Sequence, residues 1–177
     1  MFAAPAAALA GTRVMATNET ELCNAQLEKL RCLIEAESGD GLKLLRSLTN
    51  NPICSIFLDG NVRCITVAWK RYATSTQFRY IHESLIPLLS KYQVSKILYE
   101  DTALPTIHQD DQRWIIDDWM PRAAGAGLGA VASKRPVAYF ARIAVENIRA
   151  AVSARVTMRC FDELEAARHW LETLVTA

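Results

Sequence analysis

"ICSIFLDGNVRCITVAW", residues 53–69, is where the fold is decided. Two short runs of alternating apolar residues flank Asp59, Gly60 and Asn61, which reads as a β-hairpin turning at Asp59-Gly60 or Gly60-Asn61. Successive strand side chains point to opposite faces. Cys54, Ile56 and Leu58 therefore form one apolar face, and Ile65, Val67 and Trp69 are the matching face of the second strand. Cys64 falls on the face opposite Cys54, so these two thiols are not expected to bond.

Downstream of the hairpin, helical and extended patterns alternate. "STQFRYIHESLIPLLSKY" (75–92) predicts a helix with Phe78, Ile81, Leu85, Leu88 or Leu89, and Tyr92 inward. Pro87 should kink it, because proline lacks a donor and crowds the carbonyl four residues back. "SKILYED" (95–101) predicts a short buried strand, and "LGAVAS" (128–133) another behind a glycine-rich stretch. "PVAYFARIAVENIRAAV" (136–152) predicts a helix with Pro136 in its first turn. "RVTMRCF" (155–161) is the last predicted strand. "DELEAARHWLETLV" (162–175) closes the chain as a helix, with Asp162 and Glu165 set as a capping box and Leu164, Ala167, Leu171 and Leu174 inward.

Upstream, "TNETELCNAQLEKLRCLIEAE" (17–37) predicts a helix capped by Thr17 or Asn18, with a stripe of Cys23, Leu27, Leu30 and Ile34. "SGDG" ends it, and "LKLLRSL" (42–48) reads as further helical turns. "MFAAPAAALAG" at the start contains a small-x-small pattern, but no basic residue precedes its short apolar run, so a disordered tail or a true start at Met15 is expected over a signal peptide. The expected organisation is a disordered tail over 1–16, an N-terminal helical extension over 17–50 and a folded domain over 51–177. The fold class is α/β: a small, mixed, mostly parallel sheet with crossover helices, preceded by an N-terminal helix. Ligands in open α/β sheets sit at the carboxyl edge of the strands, here the loops 70–75, 101–110 and 133–137.

The 177 residues carry a formal net charge of +1, so no overall field favours nucleic acid or an anionic membrane. Charge is nonetheless uneven. Six acids against Arg113 occupy residues 100–118, whereas seven bases oppose five acids from Lys134 onward. Such asymmetry reads as two solvated surfaces. No apolar run approaches the roughly 18 residues of a membrane helix, so stable insertion is not expected. Five cysteines leave one unpaired and form no C-x-x-C, which argues against a disulfide framework or a zinc site and for a reducing, cytoplasmic setting.

"DQRWIIDDWMPRA" (111–123) concentrates acids and two tryptophans. Ile115 and Trp119 share one helical face, Arg113 and Asp117 can pair on the outer side, and Pro121 should end the helix near Met120. The segment therefore reads as an amphipathic helix from Asp110, its tryptophans packed on the sheet. Asp110 and Asp111 serve its N-terminus, where each acid contributes roughly 0.3–1 kcal/mol. Asp101, His108, Asp110, Asp111 and Asp117 match no metal-ligand spacing. Asp117 and Asp118 diverge by about 100° and form no catalytic pair. His82, His108 and His169 stand at no readable spacing from a nucleophile, and Gly-x-Ser-x-Gly is absent. "GAGLGA" (125–130) follows a helix and opens a strand, the wrong context for a phosphate loop, and reads as a helix C-cap.

"AWKRYATSTQFR", "KILYEDTAL", "DQRWIIDDWMPRAAGAGL" and "FDELEAARHWL" together resemble the SpoIIAA-like proteins of bacteria, often labelled STAS/SEC14-domain proteins, over about residues 51–174. The resemblance implies the small α/β sandwich of anti-sigma-factor antagonists and of lipid-carrier domains. It implies a non-enzymatic regulatory or protein-interaction module, or else a carrier or sensor of a small apolar, lipid-like ligand. No cofactor is implied. The expected partner is another protein, or a second copy docking through the N-terminal helix. The antagonists' phosphorylated serine has no counterpart in "EDTALPTIHQDD", and Thr102 reads as a plain turn residue. Residues expected at a ligand or partner contact are Asp101, Thr102, His108, Trp114, Trp119 and Arg122.

Overall fold

The computed structural model describes residues 45–152 and 156–174. The expected tail over 1–16 and the helix over 17–37 lie outside the described residues. Six strands form one sheet in sequential order: β1 (Leu45–Asn50), β2 (Cys54–Asp59), β3 (Cys64–Trp69), β4 (Lys96–Glu100), β5 (Ala130–Lys134) and β6 (Thr157–Phe161). β1, β2 and β3 are antiparallel neighbours; β3 to β6 run parallel. The sheet is thus mixed and mostly parallel.

The hairpin has the expected faces, with Cys54 opposite Trp69 and Cys64 opposite Asp59. Its turn is longer than predicted, spanning Gly60 to Arg63. Val62 is drawn into the core at 2% exposure, in the same cluster as Cys64. Asp59 Oδ1 accepts from the amides of Asn61 (3.0 Å) and Val62 (3.2 Å), satisfying the loop's donors, and Arg63 takes the left-handed conformation (φ 54°). The expected helical turns at 42–48 are corrected too: Leu45–Asn50 is strand β1. Pairing with the otherwise open edge of β2, with a register shift between Ser47 and Thr49, outweighs the segment's leucine-rich helical pattern.

The helices are α1 (Ser75–Tyr92), α2 (Gln109–Trp114), α3 (Met120–Gly125), α4 (Tyr139–Ala151) and α5 (Leu164–Thr173). Each parallel step advances the sheet in one direction, so right-handed crossovers place α1 to α4 on one face. That face holds the main core, in which Ile65, Val67, Ile97 and Val131 meet Leu85, Ala123 and Val145. α5 covers the other face, setting Leu164, Ala167 and Leu171 on Cys64, Leu98, Ala130 and Ala132. Lys96 Nζ reaches this side and donates to the carbonyls of Leu171 (2.8 Å) and Leu174 (2.7 Å) at the end of α5, where the helix has acceptors to spare.

α1 begins with a capping box: Gln77 donates its amide to Thr74, and the Gln77 side chain accepts from the Thr74 amide. The predicted box at α5 does not form. Asp162 accepts instead from Arg135 at 2.8 Å, and Glu163 is the cap residue. The glycine-rich turn closes α3 as expected, with Leu128 donating its amide to Ala123 at 2.9 Å and Gly127 at φ 104°. Among the described residues no helix is long and apolar enough to cross a membrane.

The helix expected to stop near Met120 does not stop. α2 and α3 are joined by a π-helical turn, Ile115–Trp119, in which Met120 donates its amide to Ile115, five residues back. Pro121 has no N–H to offer, and the wider turn places it at the start of α3, where none is needed.

Candidate functional site

The core is not completely filled at the carboxyl edge of the parallel strands. A cavity of about 40 Å³ lies there between the sheet, α1, the π-helical turn and α4. It has room for about three water molecules. Drug-sized pockets measure roughly 300–1,000 Å³, so a fatty-acid chain does not fit inside it. π-helical turns concentrate at functional sites, and this one supplies Ile115 and Trp119 to the wall.

Five rings and a set of aliphatic side chains, among them Leu104, Ile115, Val131 and Ile148, form the wall. Trp69 from β3 stacks on Phe78 from α1, with ring centroids 5.5 Å apart. His82, one turn further along α1, lies 4.2 Å from Phe78 and stacks between Trp69 (5.9 Å) and Tyr99 (5.7 Å). Trp119 stands edge-on to His82 at 5.0 Å.

Three polar groups interrupt this wall. His82 Nδ1 is 2.9 Å from the Phe78 carbonyl, which can only accept, so Nδ1 carries the proton and Nε2 is a bare acceptor. Burial pushes the His82 pKa down to about 4, leaving the ring neutral at neutral pH. The Tyr99 hydroxyl is buried and has no hydrogen-bond partner among the described residues. Burial above all, and then the negative charge of Asp101, push its pKa well up. Asp101, just past the end of β4, is 4% exposed and accepts a 2.5 Å hydrogen bond from Ser133 Oγ. Burial pushes its carboxyl up to about 7 against the lowering effect of that hydrogen bond. No basic side chain among the described residues lies within ion-pair distance of it. The site thus presents acceptors and one hydroxyl among aromatic and aliphatic side chains that are themselves buried.

Of the six residues expected at a contact, the structure brings Asp101 and Trp119 to this cavity. Thr102 is buried but committed to Glu100, to which its hydroxyl and its amide (3.2 Å) donate. His108 is exposed and caps α2, accepting from the Asp110 amide at 3.3 Å. Trp114 touches His82 edge-on at 6.2 Å without lining the cavity, and the Arg79 guanidinium covers its ring at 5.3 Å. Arg79 also donates to the buried Asp111 at 2.7 Å, adding an ion pair to that acid's place at the helix start. Arg122 lies on the surface, paired with Glu83 and with Asp118 at 2.7 Å. The expected Arg113–Asp117 pair is replaced by Arg113–Asp110 at 2.6 Å.

Sequence reasoning missed His82, Tyr99 and Ser133 as site residues. Their signal was there: His82 lies four residues after Phe78 on the apolar stripe of α1, and Tyr99 shares Asp101's side of the strand. Beside the same sheet edge, Val137 ahead of α4 and Tyr139 and Phe140 in its first turn form an exposed apolar ridge, the two rings 70% and 72% exposed. No family model, curated protein or solved structure matches this chain.

Proposed function

We propose that this chain is a SpoIIAA-like regulatory module without enzymatic activity, working in a reducing compartment and responding to a small ligand held at the carboxyl edge of its sheet. The observation that carries this reading is the Tyr99 hydroxyl, buried in the wall of the cavity without a partner among the described residues. A buried hydroxyl left unsatisfied costs about 1–3 kcal/mol, a cost that a bound polar group removes. The Val137–Tyr139–Phe140 ridge is the surface through which a partner protein would read occupancy, since contiguous exposed apolar area marks interaction sites. The cavity's size favours a ligand of a few heavy atoms over a lipid chain.

Intrinsic fluorescence provides the test, because Trp69 and Trp119 both form the wall. A panel of small polar fragments, amines and alcohols included, should contain members that change the emission saturably and raise the melting temperature. Tyr99→Phe should weaken those members while leaving the protein folded. A folded protein that responds to no fragment of that size removes the ligand-binding reading.

A further inference from the structure

Resting on that reading, we infer that the cavity is a site for a small organic cation, a primary or methylated ammonium, held by the Asp101 carboxylate beside the rings of Trp69, Tyr99 and Trp119. Aromatic faces carry negative potential and attract a cation that has shed its water; the effect is strongest at Trp. A carboxylate alone in such a wall lacks the positive charge that burial demands. Asp101 has Ser133 Oγ as its side-chain hydrogen-bond partner, and the positive charge of Lys134 acts on it more weakly than the negative charge of Glu100.

The other groups agree. Neutral His82 adds no positive charge to repel the ligand, and its Nε2 adds an acceptor. The Tyr99 hydroxyl, unpartnered, can accept an ammonium N–H. A metal ion fits the site poorly, since hard cations need several oxygen ligands where the wall offers one carboxylate. Among the described residues no group of three or more His, Cys, Asp or Glu could hold one. The space, about three waters' worth, matches ammonium heads of up to roughly four heavy atoms, alone or as the end of a larger molecule.

The test titrates the intact protein at pH 8 with methylammonium, dimethylammonium, trimethylammonium and tetramethylammonium chlorides, read by fluorescence and calorimetry. Isopropanol and tert-butanol serve as neutral counterparts and potassium chloride as the ionic-strength control. Saturable binding of the smaller ammonium ions, weakened about tenfold or more in Asp101→Asn, is the expected result, a charge-assisted contact being lost. Asp101→Asn keeps the shape and an acceptor for Ser133, and circular dichroism establishes that it is folded; Tyr99→Phe provides a second folded variant with a smaller loss. Alcohols that bind where the ammonium ions do not would overturn the cation assignment and leave the ligand-binding module standing. Silence from both classes would overturn both. Ammonium binding unchanged in Asp101→Asn would overturn the role of the carboxylate.

Discussion

Trp119 donates its indole Nε1–H to the backbone carbonyl of His82 across 2.8 Å, tying the π-helical turn to the middle of α1. The bond joins two walls of the cavity, so the same contact stabilises the fold and sets the spacing of the site. Trp119→Phe removes the donor and leaves a gap beside a fully buried ring. The variant should lose about 2–4 kcal/mol, the sum of a lost hydrogen bond and a new void. Chemical denaturation measures the loss. An unchanged midpoint would mean that the indole N–H and the packing of its second ring contribute nothing here.

Asp101 and His82 give opposite dependences of stability on pH. Asp101 is raised from 3.8 to about 7 in the folded state, so the folded protein holds a proton that the unfolded chain releases, and its contribution is lost as pH rises through this range. His82 is lowered from 6.5 to about 4, so the unfolded chain takes up a proton that the folded protein refuses, and stability is lost as pH falls from 6.5. Between pH 4.5 and 6.5 the two slopes, each at most about 1.4 kcal/mol per pH unit, largely cancel. Asp101→Asn removes one of them. Relative to wild type, its melting temperature should climb steadily over that interval and reach its greatest advantage near pH 8. Parallel curves for the two proteins would show that Asp101 titrates normally.

The alternating order of helix and strand was legible because period-two and period-3.6 patterns are local. The hairpin faces, the α1 stripe and the glycine C-cap follow from such patterns, and the carboxyl edge follows from the strand order. β1 was not legible: "LRSLTN" becomes a strand through its pairing with β2, a partner the local pattern does not mention. The π-helical turn was missed because proline rules assume an α-helical ladder, whereas the wider turn leaves Pro121 no bond to break. Asp101 and Trp119 could be nominated from their place in the chain, but their convergence with His82 and Tyr99 is a product of packing.

Cys54, Cys64 and Cys160 should resist thiol reagents in the folded protein. Burial pushes the Cys54 thiol up to about 11 and the Cys160 thiol up to about 12, and Cys64 is pushed further, with Asp59 adding to the effect of burial. The thiolate is the reactive form, so little of it exists at pH 8. Brief alkylation followed by peptide mass spectrometry should find Cys54 and Cys64 unmodified, and rapid labelling of both after denaturation. Fast native labelling of Cys64 would show that α5 opens from the sheet on the timescale of the reaction.

Arg168 holds α5 to the hairpin by a buried pair: its Nε donates to Asp59 Oδ2 at 3.0 Å, and its Nη1 donates to Glu172 at 2.7 Å. Both partners of the inner pair are almost fully excluded from water, at 4% and 0% side-chain exposure. Removing one member of such a pair strands the other charge, so Arg168→Met should destabilise the protein by about 3–5 kcal/mol. Asp59 also accepts the amides of Asn61 and Val62, and Asn at that position retains an oxygen for them. Asp59→Asn combined with Arg168→Met should therefore recover a good part of the loss, because no charge is left buried. Denaturant unfolding of the two single variants and the double variant closes a thermodynamic cycle. Strictly additive losses would show that the two side chains do not depend on each other.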